Sequence, residues 1–194
     1  MSTVIGLTGP TGAGKSSVTD IAVNLGFKVI DCDKLARVAV NKGSRGLAAL
    51  RNAFGDDVIT PEGILDRARL AQIAFSEEKK TELLNKTLLP FICELVDEQI
   101  DTEYVLLDAP TLFESGMNSI CKQTVAVLAP MEIRLKRIME RDKITAEAAQ
   151  LRINAGKPDE FYIKKADKVF YNNGELSDFQ STINVYLKEI TGGK

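Results

Sequence analysis

The stretch VIGLTGPTGAGKSS, residues 4–17, restricts the fold more than any other part of the chain. Gly9, Gly14, Lys15 and Ser16 satisfy the spacing G-x-x-x-x-G-K-[ST]. In that pattern backbone N–H groups and a helix N-terminus converge on phosphate oxygens, and the glycines let the backbone approach them closely. Such a loop needs a strand to deliver it and a helix to receive it. Thr3 to Thr8 is short, rich in Val, Ile and Leu, and followed by glycine, which predicts a buried strand. Val18, Ile21, Ala22 and Leu25 follow at i, i+3, i+4 and i+7 and are closed by Gly26, which predicts a helix with a C-terminal stop. A chance glycine turn is the competing reading, and both flanks weigh against it.

The remaining sequence continues the alternation. Phe27 to Asp31 is predicted as a second strand and Lys34 to Val40 as a helix, with another helix ending near Phe54 after Gly43 and Gly46 break the pattern. Asp66 to Gln99 is helical in character, with an interruption expected at Pro90, whose ring removes a ladder donor. Tyr104 to Asp108 and Gln123 to Leu128 lack polar alternation, as strands of a sheet covered on both faces do. Met131 to Asp142 and Thr145 to Ala155 read as helices and Lys168 to Tyr171 as a short final strand. Ser177 to Ile190 closes the chain with Phe179, Ile183, Tyr186 and Ile190 on one helical face. The result is α/β with a central parallel sheet of about five strands. Its 194 residues suit one domain, with the long helical run as an insertion.

A net charge of −2 argues against a mainly electrostatic grip on nucleic acid or on an anionic membrane, so the expected partners are small molecules. With no basic and apolar leader and no run of about 18 apolar residues, a cytoplasmic protein is expected. Cys32, Cys93 and Cys121 are odd in number and lack C-x-x-C spacing, which suggests neither a disulfide framework nor a zinc cluster. There is no histidine. Any general base must then be Asp, Glu, Lys, Cys, Ser or Tyr, and histidine triads are excluded. Phosphoryl transfer, which relies on positioning and charge around a metal-bound phosphate, has no need of histidine.

Four stretches carry candidate chemistry. Gly12, Ala13, Gly14, Lys15, Ser16 and Ser17 would wrap the phosphates of a nucleotide, Lys15 neutralising charge and the Ser16 hydroxyl ligating Mg²⁺. YVLLDAP ends a strand in Asp108, placed for the metal in a Walker-B role or serving only as a turn residue. VIDCDKLAR places Asp31 and Asp33 at a strand end. Asp33 is the candidate base for an acceptor hydroxyl, against the alternative that Asp33 or Asp31 caps the next helix. IRLKRIMERD aligns Arg134, Arg137 and Arg141 opposite Leu135, Ile138 and Met139. That face is either a phosphate clamp or a solvated surface. A GTPase switch would need N-K-x-D and D-x-x-G elements, and neither occurs. A small kinase fits what remains, and its alternatives are another small-molecule kinase on the same scaffold or a nucleotide-binding protein without the reaction.

GLTGPTGAGKSSV, VIDCDKLAR, FGDDVITPEGILDRARLAQIAF, LLDAPTLFESG, RLKRIMERD and ADKVFYNNG occur in this order along nearly the whole chain, which thereby resembles the dephospho-coenzyme A kinase family. The resemblance implies a P-loop NTPase three-layer fold whose core is about 1–59, 101–139 and 166–194, a helical acceptor subdomain at 60–100 and a lid at 140–165. It also implies transfer of the γ-phosphoryl group of ATP, with Mg²⁺, to the ribose 3′-hydroxyl of dephospho-CoA. Family roles fall on residues 12–17 for the ATP phosphates, Asp33 for the base and Arg141 for the lid arginine. Arg37 and Arg67 match arginines near the acceptor and phosphates, or are structural ion pairs. Asn172 and Asn173 match the region next to adenine, or form a plain turn. The chain has Leu89 before Pro90 where the family commonly has histidine, Thr111 in PTLFE where it commonly has leucine, and Gly156 where its lid commonly has glutamine.

Overall fold

A computed structural model describes residues 2–192. In chain order its elements are β1 (Thr3–Thr8), α1 (Lys15–Asn24), β2 (Lys28–Asp31), α2 (Cys32–Val38), α3 (Arg45–Phe54), α4 (Arg67–Ala74), α5 (Glu78–Asp97), β3 (Tyr104–Asp108), β4 (Gln123–Leu128), α6 (Met131–Asp142), α7 (Ala146–Asn154), α8 (Asp159–Lys165), β5 (Lys168–Tyr171) and α9 (Leu176–Ile190). The strands form a five-stranded sheet in the order β2-β3-β1-β4-β5. β1 runs parallel to both β3 and β4, and β4 parallel to β5. Parallel neighbours require crossovers, and helices supply them.

The chain divides into two compact units. The first comprises residues 2–30, 102–110 and 121–192. In β1, β3 and β4 the residues inside the strand ends are buried regardless of the face they point to, because helices cover both faces of a parallel sheet. On one face Val18 and Ala22 of α1 and Phe179, Ile183 and Leu187 of α9 close over Ile5, Leu7, Leu106, Val125 and Val127. Tyr186 and Ile190, expected on the same face of α9, pack at the margin of this cluster. The Tyr186 hydroxyl donates to Gln123 Oε1 at 2.7 Å. α8 was not expected from the sequence; a seven-residue segment carries too few apolar positions to show a period.

Asp167, just before β5, fastens that edge strand. Its Oδ2 accepts from both the backbone N–H and the hydroxyl of Thr124 at 2.7 Å, and its own N–H donates to Thr124 Oγ1 at 3.0 Å. The Thr124 donors hold the Asp167 carboxyl below its ordinary value of 3.8. A depressed folded-state pKa stabilises above the unfolded value and is lost as pH falls through the folded one. Asp167→Ala is therefore expected to cost about 1 kcal/mol near neutrality, a modest figure because the carboxylate is largely exposed. In urea titrations the gap from wild type should narrow as pH drops below 3.8; a gap independent of pH would assign the loss to packing.

The second unit comprises Asp31–Asp101 and Thr111–Ile120. Its core is Val40, Leu50, Val58, Leu70 and Ala74, with Phe54, Leu84 and Leu88 packed against it. Side chains cap three of its helices: Asp31 accepts from Lys34 N–H at 3.0 Å, Ser44 from Leu47 N–H at 3.1 Å and Asp66 from Arg69 N–H at 2.8 Å. Contrary to the expected interruption, α5 continues through Pro90. The proline forfeits one ladder bond, and buried anchors Ile92 and Val96 on the next turns hold the helix against that loss. Leu89 packs near Gly116: a Cβ added to that glycine would lie 3.2 Å from Leu89 Cδ2. An apolar side chain is thus accommodated where the family commonly carries histidine.

Candidate active site

The first unit gathers the phosphate loop, residues 9–16, at the carboxyl end of β1. Gly9 leaves the strand at φ 138°, and a Cβ there would fall 2.2 Å from the Val127 carbonyl oxygen, so only glycine passes this point beside β4. Gly14 is the N-cap of α1 in the left-handed conformation, with no side chain capping the helix. The first turn of a helix offers N–H groups that its own ladder does not use, although that of Ser17 donates to Gly14 O at 3.2 Å, and the positive end of the α1 dipole points the same way. These are the requirements for holding an anion. Lys15 Nζ donates to Gly9 O at 2.9 Å, which folds the ammonium back across the loop.

Asp108 closes β3 in register with Leu7, and the next residues bind the strand that leads into the loop: Ala109 N–H donates to Leu7 O at 3.0 Å and Thr8 Oγ1 to Pro110 O at 3.1 Å. A carboxylate is thereby fixed beside the start of the phosphate loop. The Ser16 hydroxyl and Asp108 are hard oxygen donors, the kind Mg²⁺ takes. Among the described residues no group of three or more His, Cys, Asp or Glu side chains gathers into a cage. Mg²⁺ suits such a sparse set, because it keeps waters and substrate phosphates as its other ligands.

The three aligned arginines of α6 separate into different tasks. Arg134 is only 5% exposed, donates through Nε to Thr11 O at 3.0 Å and pairs with Asp159 at 3.4 Å. Arg137 reaches the carbonyls of Gly12 and Ala13 and the Asn172 side chain. Neither lies on a solvated face, and both grip loop carbonyls, whereas the sequence suggested phosphates. Arg141 is 61% exposed and forms a two-point pair with Asp142, Nε to Oδ1 at 2.7 Å and Nη2 to Oδ2 at 3.0 Å. Arg152 also donates to Asp142. The Arg141 hydrogen bond, reinforced by both arginine charges, holds the Asp142 carboxyl below the usual carboxylate range. Asn172 is 1% exposed and faces the loop, which a plain Asn-Gly turn would not require. Asn173 and Gly174 line a separate cleft of about 220 Å³ with Phe170, Glu175 and Phe179.

The second unit carries Asp33, Arg37 and Arg67. Asp31, not Asp33, caps α2; its carboxyl is lowered despite partial burial because the Lys34 backbone and ammonium both hold it. Asp33 stands exposed in the first turn, with Arg37 four residues on and on the same helical side. Arg67 opens α4. Arg37 and Arg67 are exposed, and among the described residues neither forms an ion pair, which leaves their alternative as structural pairs without support.

A family model for dephospho-CoA kinase matches residues 3–178. The chain belongs to the dephospho-CoA kinase family. The Enterococcus faecalis dephospho-CoA kinase is 36% identical over 199 residues, covering 100% of both chains. Among solved structures, TT1252 from Thermus thermophilus aligns with a TM-score of 0.77 at 32% identity, covering 97% of this chain and 98% of that one. The dephospho-CoA kinase from Campylobacter jejuni aligns at 0.66 and 29%, covering 100% and 99%. Membership in this kinase family fixes the fold as that of the P-loop NTPases and the chain as an ATP-dependent phosphotransferase. The bracing of the loop by Arg137 and Asn172 is not legible in the sequence of this family member, because spacing alone does not show that the two side chains meet.

Proposed function

We propose that this protein transfers the γ-phosphoryl group of ATP to the ribose 3′-hydroxyl of dephospho-CoA. The observation that carries the reading is the uncapped N-terminus of α1 behind a glycine-built loop, with Lys15 across it, in a chain of this family. Residues 12–17 hold the nucleotide phosphates through backbone N–H groups. Ser16 and Asp108 would hold Mg²⁺, which would supply positive charge against the negative charge of the transferring phosphate. Asp33 accepts the proton of the acceptor hydroxyl as that oxygen bonds to phosphorus and the bond to the β-phosphate oxygen breaks, giving ADP and 3′-phosphorylated product. Arg37 and Arg67 bind the acceptor's anionic groups, and Arg141 exchanges Asp142 for phosphate oxygen as the lid closes and excludes water. The site lies in a cytoplasmic enzyme whose partners are small molecules.

An ADP-release assay over a panel of acceptors tests this. Dephospho-CoA should be preferred clearly over nucleosides, nucleotides and sugars, and chelation of Mg²⁺ should abolish turnover. Preference for another acceptor would assign a different small-molecule kinase, with Leu89 in place of the family's usual histidine as the first suspect. ATP binding without product from any acceptor would make the chain a nucleotide-binding homologue.

A further inference from the structure

We infer that Arg137 and Asn172 form a positioning pair that sets the phosphate loop from behind, an inference that rests on the loop's binding nucleotide phosphate. Arg137 Nη1 donates to Ala13 O at 3.2 Å and to Gly12 O at 3.4 Å, and Nη2 donates to Asn172 Oδ1 at 3.1 Å. Asn172 Nδ2 donates to the same Ala13 carbonyl at 3.0 Å, and its backbone N–H donates to Leu128 O at 2.7 Å, which moors it to β4. The amide can face only one way. A guanidinium has donors and no acceptor, so Oδ1 must meet Arg137 and Nδ2 must meet the carbonyl.

A peptide unit is planar and trans, so the carbonyl of one residue and the N–H of the next point in opposite directions. Two side chains on the Ala13 carbonyl therefore aim the Gly14 N–H away from themselves. That N–H belongs to the N-cap of α1, where a phosphate is expected. The fit behind the loop is close: a Cβ on Gly14 would lie 2.2 Å from Asn172 Nδ2 and 3.4 Å from Arg137 Nη1. The Arg137 charge adds to the positive potential of the site without touching the ligand. Asn172 is thus assigned to the loop, in place of the adenine-side role that resemblance suggested.

ADP is the probe, because it retains the phosphates the loop grips and lacks the γ-phosphate. In calorimetric titrations Arg137→Met and Asn172→Ala should each raise the ADP dissociation constant roughly 10- to 100-fold, with the double variant no worse than the weaker-binding single one. Asn172→Asp, which sets an acceptor against Ala13 O, should behave like Asn172→Ala. Arg137→Lys keeps the charge but not the fork and should fall between wild type and Arg137→Met; it also serves if Arg137→Met folds poorly. ADP affinity held within about twofold while the melting temperature drops would reduce the pair to a structural contact and overturn the inference. Unchanged ADP affinity with a fall in kcat for Arg137→Met alone would overturn it in favour of direct γ-phosphate contact. Failure of wild type to bind ADP would instead strike at the proposed function itself.

Discussion

Asp33→Asn should lower the rate of phosphoryl transfer to dephospho-CoA by roughly 10²- to 10⁴-fold, the usual contribution of a positioned general base. The reasons are local. The chain has no histidine, so a carboxylate is its natural base near neutral pH. Asp31 already provides the N-cap of α2, and Asp33 lies exposed in the first turn, where Asn keeps the shape and removes the charge and the capacity to take a proton. Folding should be little affected, since exposed substitutions away from caps and cores usually change stability by no more than about 0.5 kcal/mol. ATP affinity should also hold, because the phosphate loop belongs to the other compact unit. Single-turnover rates at saturating ATP and acceptor, with ATP affinity by titration, read the two effects separately. Transfer at the wild-type rate would remove Asp33 as the base, and an equal loss of ATP affinity would make it a binding residue.

The sheet and most helices were legible because their signals are local and repeated. Apolar runs without alternation predicted β1, β3 and β4, and the helix period predicted α1, α6 and α9. Tertiary packing overrode local rules in two places. Pro90 reads as a helix break, yet anchors on adjoining turns carry α5 across it. Asp159–Lys165 is too short and charged to declare a helix, although Asp159 pairs with the buried Arg134. The candidate site shows the same division. G-x-x-x-x-G-K-S encodes the loop, because each glycine answers to a backbone requirement that follows from the residue alone. The arginine face was visible as a spacing, but whether an arginine meets phosphate, carbonyl or water depends on what lies across from it. For Arg134 and Arg137 that neighbour is the loop backbone, more than 120 residues away in sequence.

Lys15→Ala should reduce kcat/KM for ATP by roughly 10²- to 10³-fold, comparable to removing one pre-set group from the charge that develops in transfer. The ammonium donates to Gly9 O at 2.9 Å, and as a three-donor cation it can keep that bond while taking phosphate oxygens. It therefore both closes the loop and neutralises the ligand, so binding and turnover should fall together. The fold should persist, because β1, β4 and α1 are held by buried apolar contacts that do not involve Lys15. Lys15→Arg would separate charge from shape: a planar guanidinium keeps the charge but cannot reproduce a compact ammonium folded over the loop. Recovery of most activity by Lys15→Arg would mean that charge alone matters. Near-normal ATP affinity and turnover in Lys15→Ala would contradict the assignment of this loop as the phosphate site, and with it the reading of α1 as the anion-holding end of the fold.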